Sequence, residues 1–405
     1  ARVTIVLTDY TEGLASVRLT GLSTENGNPD KITLYDKGSN TYTALVAPQS
    51  VAVGTTFITS TFTDGKTFVY KMKNAADWQA GGEYTYTVSL AAAKDPGYTI
   101  EGNGSYTVTS ADGLINVAEL VNGGKTDINI TLGKNIDLTG KGWTPIGTNY
   151  EKRYKGTFDG RGHTIKGLTV TTNDQFVGLF GYLDRAGTVK NVVMEGIQIT
   201  SNHMLMSGNT GGVVGYSWGT IENCSVSGSV SGTNCVGGVV GSQKAGSIIG
   251  CSSSAIVKGT HYVGGVAGEK WGTMTACYAT GNVTLEINSP QDLSGGGVVG
   301  LNGGSTVLAC YATGNVTSTG SSTGKVHIGG FLGNNYTTVT ACYWKNNHEQ
   351  GIGYNKENIV PEATKVDGTG VTWKNAVDAM NTALQNAGSK WRYELKGALP
   401  TLRKQ

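Results

Sequence analysis

Apolar and polar positions alternate only in short runs along this chain, and from Gly178 to Trp344 the runs return in a fixed order. Ser225-Val226-Ser227-Gly228-Ser229-Val230 is one such run, with the period of two that belongs to a half-buried strand. Between the runs stands a Gly-Gly-apolar-x-Gly pentad, at Gly211–Gly215, Gly237–Gly241, Gly264–Gly268, Gly296–Gly300 and Gly329–Gly333, with Gly178-Leu179-Phe180-Gly181 as a degenerate first copy. From the last Gly of each pentad to the next Cys is 9, 10, 9, 10 and 9 residues, landing on Cys224, Cys251, Cys277, Cys310 and Cys342; Val192 takes that place in the first copy. From there to the following pentad is either 13 or 19 residues, so length varies at one corner only. A repeat of 26 to 34 residues built from short strands cannot bury its apolar face alone, and its copies must stack as coils of a parallel β-solenoid. With strands ~4.8 Å apart, six coils make a rod about 30 Å long. Glycine then turns the corners, where positive φ or close backbone approach excludes a side chain.

Two segments break the strand rhythm. Asp112 to Gly123 carries an Asp N-cap, apolar residues at 114, 117, 118 and 121, and a Gly stop, which predicts a short helix plugging the first coil. Thr372 can cap a second helix over Trp373–Ala387, with Val377, Met380 and Leu384 on one face and Gly388 ending it, as the matching cover at the other end. Residues 1 to about 100 hold no pentad. They show short alternating strands, Tyr84-Thr85-Tyr86-Thr87-Val88 among them, separated by turn signals at Asn26–Asp30 and Thr63–Lys66. That predicts a β-sandwich of about seven strands, ending near the breaker cluster Lys94-Asp95-Pro96-Gly97. The expected fold class is therefore all-β: a sandwich over 1–97, a solenoid lead-in and N-terminal cap over 98–175, a β-helix of about six coils over 176–344, and a C-terminal cap with one helix over 345–405.

Composition narrows the class of function. Gly is 62 of 405 residues, about twice the ordinary share, yet Pro is only 7 and no three-residue period exists, which excludes collagen. Lys+Arg 31 against Asp+Glu 29 leaves +2 with no run of five like charges, so no nucleic-acid partner is expected. No apolar stretch approaches the ~18 residues of a membrane span, and Ala1–Tyr10 alternates like a strand and unlike a signal peptide, as in a mature or trimmed form. Few charges among many Thr, Ser, Asn and Gly fit extracellular β-structure.

The pentads followed by Ala-Cys-Tyr-Ala-Thr-Gly-Asn-Val at 276–283 and 309–316 resemble the GLUG repeats of bacterial surface proteins. Trp143-Thr144-Pro145-Ile146-Gly147 and Gly156–Ile165 are similar to the segment that leads into GLUG solenoids, and Leu399-Pro400-Thr401-Leu402 to their close. The N-terminal part resembles fimbrillin-like domains of Bacteroides-type bacteria through Tyr42–Val51, Phe68-Val69-Tyr70 and Gly82–Val88. The two resemblances imply a cell-surface adhesin or fimbrial protein, outer membrane-anchored or pilus-associated with the anchor outside this chain. Its partners would be a host-surface protein or glycan and other pilus subunits.

Candidate chemistry is sparse. The six acids between Phe176 and Trp344 (Asp184, Glu195, Glu222, Glu269, Glu286, Asp292) do not stack on neighbouring coils, so they read as solvated surface carboxylates more than as the pair a polysaccharide hydrolase or lyase needs. The one His-Glu, His348-Glu349, lacks a second His at the zinc spacing, and no motif for a metal or cofactor follows. The five Cys in register read as a ladder of buried thiols, because ~4.8 Å strand spacing is too wide for a disulfide. Cys235, out of register, reads as another packing residue. Two features suggest binding without turnover. Trp218, Trp271 and Tyr336 each lie three residues past a pentad, in one turn column with Asp184, Lys244 and Gly303, where aromatics either stack on sugars or pack on the coil edge. Insertions before the pentads, with Met204 and Met206 in the first, fall on the edge where solenoids build a binding face. The expected function is a non-enzymatic adhesin, the alternative a polysaccharide-processing β-helix enzyme.

Overall fold

The computed structural model describes residues 1–9, 11–63, 67–90, 97–203, 207–287 and 290–405. It divides into two compact units, Ala1–Asp95 and Pro96–Gln405. In the first, alternating apolar residues close a sandwich. Arg2–Thr8, Thr41–Leu45, Glu83–Ser89 and Tyr35–Asp36 form one sheet, Leu14–Thr20, Thr56–Phe62, Thr67–Lys71 and Lys31–Thr33 the other, and Gln49–Val51 pairs with Ala76–Trp78. Val3, Ile5, Leu7, Val17, Leu19, Phe57 and Trp78 fill the core between them. Ten strands are described where about seven were expected, because pieces of two or three residues such as Tyr35–Asp36 are too short to leave an alternation. Part of the predicted turn, Asp64–Lys66, and most of the predicted breaker cluster, Lys94–Pro96, lie outside the described residues.

The second unit is a parallel β-solenoid. One coil serves for all: Asn209–Gly211 (sheet A), Val214–Ser217 (sheet B), Thr220–Glu222 (sheet C) and Ser225–Ser231 (sheet D), followed by Cys235–Gly237 back in sheet A. Each strand pairs in parallel with its equivalent one coil on, as Thr220 with Ser247 and Cys235 with Tyr262. Sheets C and D also run back through the lead-in, where Thr157–Asp159 pairs with Thr188–Lys190 and Thr164–Lys166 with Val193–Ser201.

The pentads make the A/B corner, and there glycine answers to crowding alone. A Cβ on the first glycine would sit 2.2 Å from the Val214 carbonyl oxygen at Gly211, and 2.1 Å from those of Val240, Ala267, Val299 and Leu332 at Gly237, Gly264, Gly296 and Gly329. None of these glycines has positive φ. Positive φ belongs to the C/D corner, in the residue just before each ladder position: Asn191, Asn223, Gly250, Ala276, Ala309 and Ala341. At that corner the cysteines turn inward. All six Cys are buried and free. The five ladder thiols donate to the carbonyl two residues back, at 3.3–3.4 Å, and the Cys277 and Cys310 amides donate to the next sulfur at 3.3 and 3.4 Å. Burial pushes the Cys224, Cys277 and Cys342 thiols up, away from the reactive thiolate.

The two helices do different work. Helix α1, Ala111–Asn122, places Leu114, Val117, Ala118 and Val121 in the solenoid core, as the spacing predicted. Its N-cap is Ser110, whose hydroxyl accepts from the Gly113 amide; Asp112 falls instead in the first turn, where a negative charge suits the helix dipole. Helix α2, Trp373–Asn386, begins at Thr372 in a capping box with Asn375. Its buried Val377, Met380 and Leu384 join a separate core with Ala276, Ala309, Tyr311, Tyr343, Trp391 and Tyr393. The helix, with the hairpin Trp391–Glu394/Thr401–Lys404, thus lies along the flank of several coils and not across their end. Tyr393 Oη donates to the Ala309 carbonyl at 2.9 Å, and Lys404 Nζ reaches Glu222 at 2.5 Å. The last coil is filled by Trp344, whose ring lies against Gly330 and Gly351.

Candidate functional site

Outward-facing residues of sheets A and B meet in a groove beside the A/B corner. Sheet A contributes the column Phe176, Asn209, Cys235 and Tyr262, and sheet B the column Tyr182, Tyr216, Ser242 and Glu269. In sheet A alternation forces this placement, since Val177 beside Phe176 and Val236 beside Cys235 point into the core. Phe176 stands 5.4 Å from Tyr182 and 5.3 Å from Tyr216 between ring centroids, and Tyr182 lies 4.9 Å from Tyr216. Tyr150, from the lead-in, meets Tyr182 edge-on at 6.1 Å. The cavity is about 540 Å³, with Gln175, Asn209, Asn234, Lys244 and Glu269 supplying polar groups.

The polar end of this groove is held by Glu269. Its Oε2 accepts from Ser242 Oγ at 2.8 Å and Lys244 Nζ at 2.6 Å, and its Oε1 from Trp271 Nε1 at 2.6 Å. Cys235 Sγ is 3.6 Å from Oε2, so this thiol lines the groove floor. Burial alone would favour the neutral acid, but the bonds from Lys244, Trp271 and Ser242 outweigh it and hold the carboxyl below its ordinary range. Glu269 therefore departs from the expected solvated carboxylate, because the coil before it supplies Ser242 and Lys244 and its own turn supplies Trp271. At the other end, burial pushes the Tyr182 and Tyr216 hydroxyls up, opposed by the nearby Trp218 indole N–H. That N–H is buried and forms no hydrogen bond of ordinary geometry with a protein acceptor among the described residues.

The turn column of Trp218, Trp271 and Tyr336 is real: the Lys244, Trp271, Gly303 and Tyr336 amides donate in turn to carbonyls of the preceding coil. Its aromatics do not form one platform. Trp218 joins the groove end with Tyr150 and Tyr182. Trp271, 44% exposed, lies over Gly303 of the next coil and is tied to Glu269. Tyr336, 40% exposed, packs at 5.7 Å on Tyr354. Met204 and Met206 lie outside the described residues. Sequence reasoning missed Phe176, Tyr182 and Tyr216 as a cluster, although the offset that Tyr182 and Tyr216 share, one residue past a pentad, was available as a signal. It also missed Lys270, fully buried in a polar column at the B/C corner, whose Nζ donates to Asn302 Oδ1 at 2.8 Å and the Ser305 carbonyl at 2.7 Å. Burial pulls its pKa down to about 7. Among the described residues no three His, Cys, Asp or Glu side chains gather as metal ligands, and no helix is long and apolar enough to cross a membrane.

The chain thus carries a grooved β-solenoid together with a β-sandwich. Residues 7–101 match the fimbrillin-like family model, and residues 206–231 match that of the GLUG motif. A fimbrillin-like domain joined to a GLUG-bearing solenoid marks the chain as a surface protein. The chain is 29% identical over 260 residues to halomucin of Haloquadratum walsbyi, covering 60% of this chain and 3% of halomucin. It is 33% identical over 128 residues to a putative Gly-rich membrane protein of Evansella cellulosilytica, covering 30% of this chain and 14% of that protein. It thus spans a small part of the length of either relative. Among solved structures, a putative immunoglobulin A1 protease from Bacteroides ovatus superposes with a TM-score of 0.55 at 19% identity, over 75% of this chain and 93% of that one. At that identity the likeness shows the fold alone.

Proposed function

We propose that this is a non-enzymatic surface adhesin, fimbrial or pilus-associated, whose solenoid groove recognises glycans on a host or neighbouring surface. The observation that carries this is the Phe176–Tyr182–Tyr216 cluster beside the buried Trp218 N–H. Sugar rings present C–H faces that pack on aromatics and hydroxyls that bond to fixed donors and acceptors, which is the combination this groove holds. Hydrolytic turnover would need a carboxyl poised to give up a proton. The two carboxylates lining this region, Glu269 and Asp184, are instead paired with Lys244 and Arg153 and held below their ordinary range against burial. Pilus subunits and a host-surface protein remain further partners in this reading, suggested by the fimbrillin-like domain. A glycan array with the full chain and its Tyr182→Ala, Tyr216→Ala double variant is the test. Binding that the double variant loses by tenfold or more is expected; no binding to any glycan sinks the reading, and release of new reducing ends from a bound polysaccharide sinks its non-enzymatic side.

A further inference from the structure

We infer that the end of the groove at Trp218 is a subsite for a carboxylate carried on a sugar, with Arg185 as its recognising cation; this rests on reading the groove as a glycan site. The solenoid itself shows what this corner binds. One turn of the column holds a cation, an indole and a carboxylate together: Lys244 Nζ lies 5.9 Å from the Trp271 ring centroid, and Glu269 bridges Lys244 Nζ and Trp271 Nε1 at 2.6 Å each. Two coils earlier a cation and an indole meet again without a carboxylate between them, the cation now coming from one residue further along the turn because Asp184 holds the place of Lys244. The Arg185 guanidinium lies 5.6 Å from the Trp218 ring centroid, and the Trp218 N–H is buried. In the place of Glu269 stands Tyr216, two residues before Trp218 as Glu269 is two before Trp271. Among the described residues no side chain supplies the acid in that place.

The charges around this end of the groove agree. The cavity, about 280 Å³, is lined by Tyr150, Arg153, Tyr182, Asp184, Arg185 and Trp218. Arg153 is committed: it pairs with Asp184, donates to the Tyr150 carbonyl at 2.8 Å and lies 4.1 Å from the Tyr150 ring centroid. Arg185 is exposed and makes no ion pair or hydrogen bond with any described residue, so the lining holds one net positive charge. A planar carboxylate suits a guanidinium fork and can also accept from the indole N–H, while its pyranose ring lies against Tyr150 and Tyr182. Those two tyrosines also line the larger groove, so an acidic residue here continues into a chain there. Uronates and sialates both carry such a carboxylate.

Calorimetric titration of the full chain separates the outcomes, using trigalacturonate against its methyl ester and 3′-sialyllactose against lactose. The expected result is a preference of roughly tenfold or more for the acid in at least one pair, the arm that responds naming its source. Arg185→Gln, a surface change checked by an unaltered melting curve, should bring that preference close to one. Trp218→Phe, which keeps a ring and removes the N–H, should reduce it. Equal binding of acid and neutral partners, or a preference that survives Arg185→Gln, overturns the subsite while the glycan reading stands. No binding to any of the four sugars, joined to a blank array, overturns both.

Discussion

The A/B and C/D corners of the same coil solve the same problem by opposite means. At A/B the backbone turns with ordinary φ, but carbonyls of the same turn and amides of the next coil come so close that no side chain fits. At C/D the backbone turns through positive φ, a torsion that Asn, Ala and Gly all adopt there, and at Gly250 the Trp391 ring also crowds the place of a Cβ. The first corner is fixed by space and the second by torsion. Space leaves glycine as the one choice and prints a motif; torsion tolerates several residues and prints almost nothing.

The sharpest break of this contrast is Gly237→Ala. Its Cβ would lie 2.1 Å from the Val240 carbonyl oxygen and 2.7 Å from the Gly268 amide nitrogen, both backbone. A loss beyond about 4 kcal/mol, or failure to fold, is expected in urea unfolding; a loss under about 1 kcal/mol would mean the corner can open. Acid comes next, because it acts on the carboxylate that holds the polar end of the groove. The folded Glu269 pKa lies below its ordinary 4.5, so its contribution is present above that value and is lost as pH falls through the folded one. Glu269→Gln should cost about 3 kcal/mol at neutral pH and flatten the share of the acid-side stability decline that belongs to this site. An unchanged acid limb would refute that role. The smallest effect belongs to the torsional corner. Ala341→Gly relieves a φ of 50°, worth about 1–2 kcal/mol, against a glycine entropy cost of about 0.5–1 kcal/mol. A net gain near ~0.5 kcal/mol in chemical unfolding is expected, and a loss above about 1 kcal/mol would show that the methyl's packing outweighs the torsion.

This difference also explains what was legible from the chain. The pentads and the Cys register were, because core and corner positions must repeat when coils stack. The groove was much less so: Tyr182 and Tyr216 repeat at one offset, but Ser242 and Glu269 follow in the same column, since outward positions face no stacking demand. Helix α2 is legible as an amphipathic segment, but its periodicity states only that one face is apolar. That the face meets Tyr311 and Tyr343 on the flank depends on aromatics in coils well upstream of the helical pattern. The Trp column was found and its uses were not, because whether an indole covers Gly303 or opens onto a cavity is decided by the next coil.

The flank segment has a mechanical side. Hydrogen bonds between coils run along the solenoid axis, so a pull along that axis loads them in series and favours peeling one coil at a time. Trp391 against Gly250, Tyr393 Oη on the Ala309 carbonyl, Tyr311 Oη on the Pro400 carbonyl and Lys404 on Glu222 stitch the chain's last residues across that series. Force that would separate a coil from its neighbour must also shear this lateral tie, which turns a stack of separable turns into a single load-sharing element.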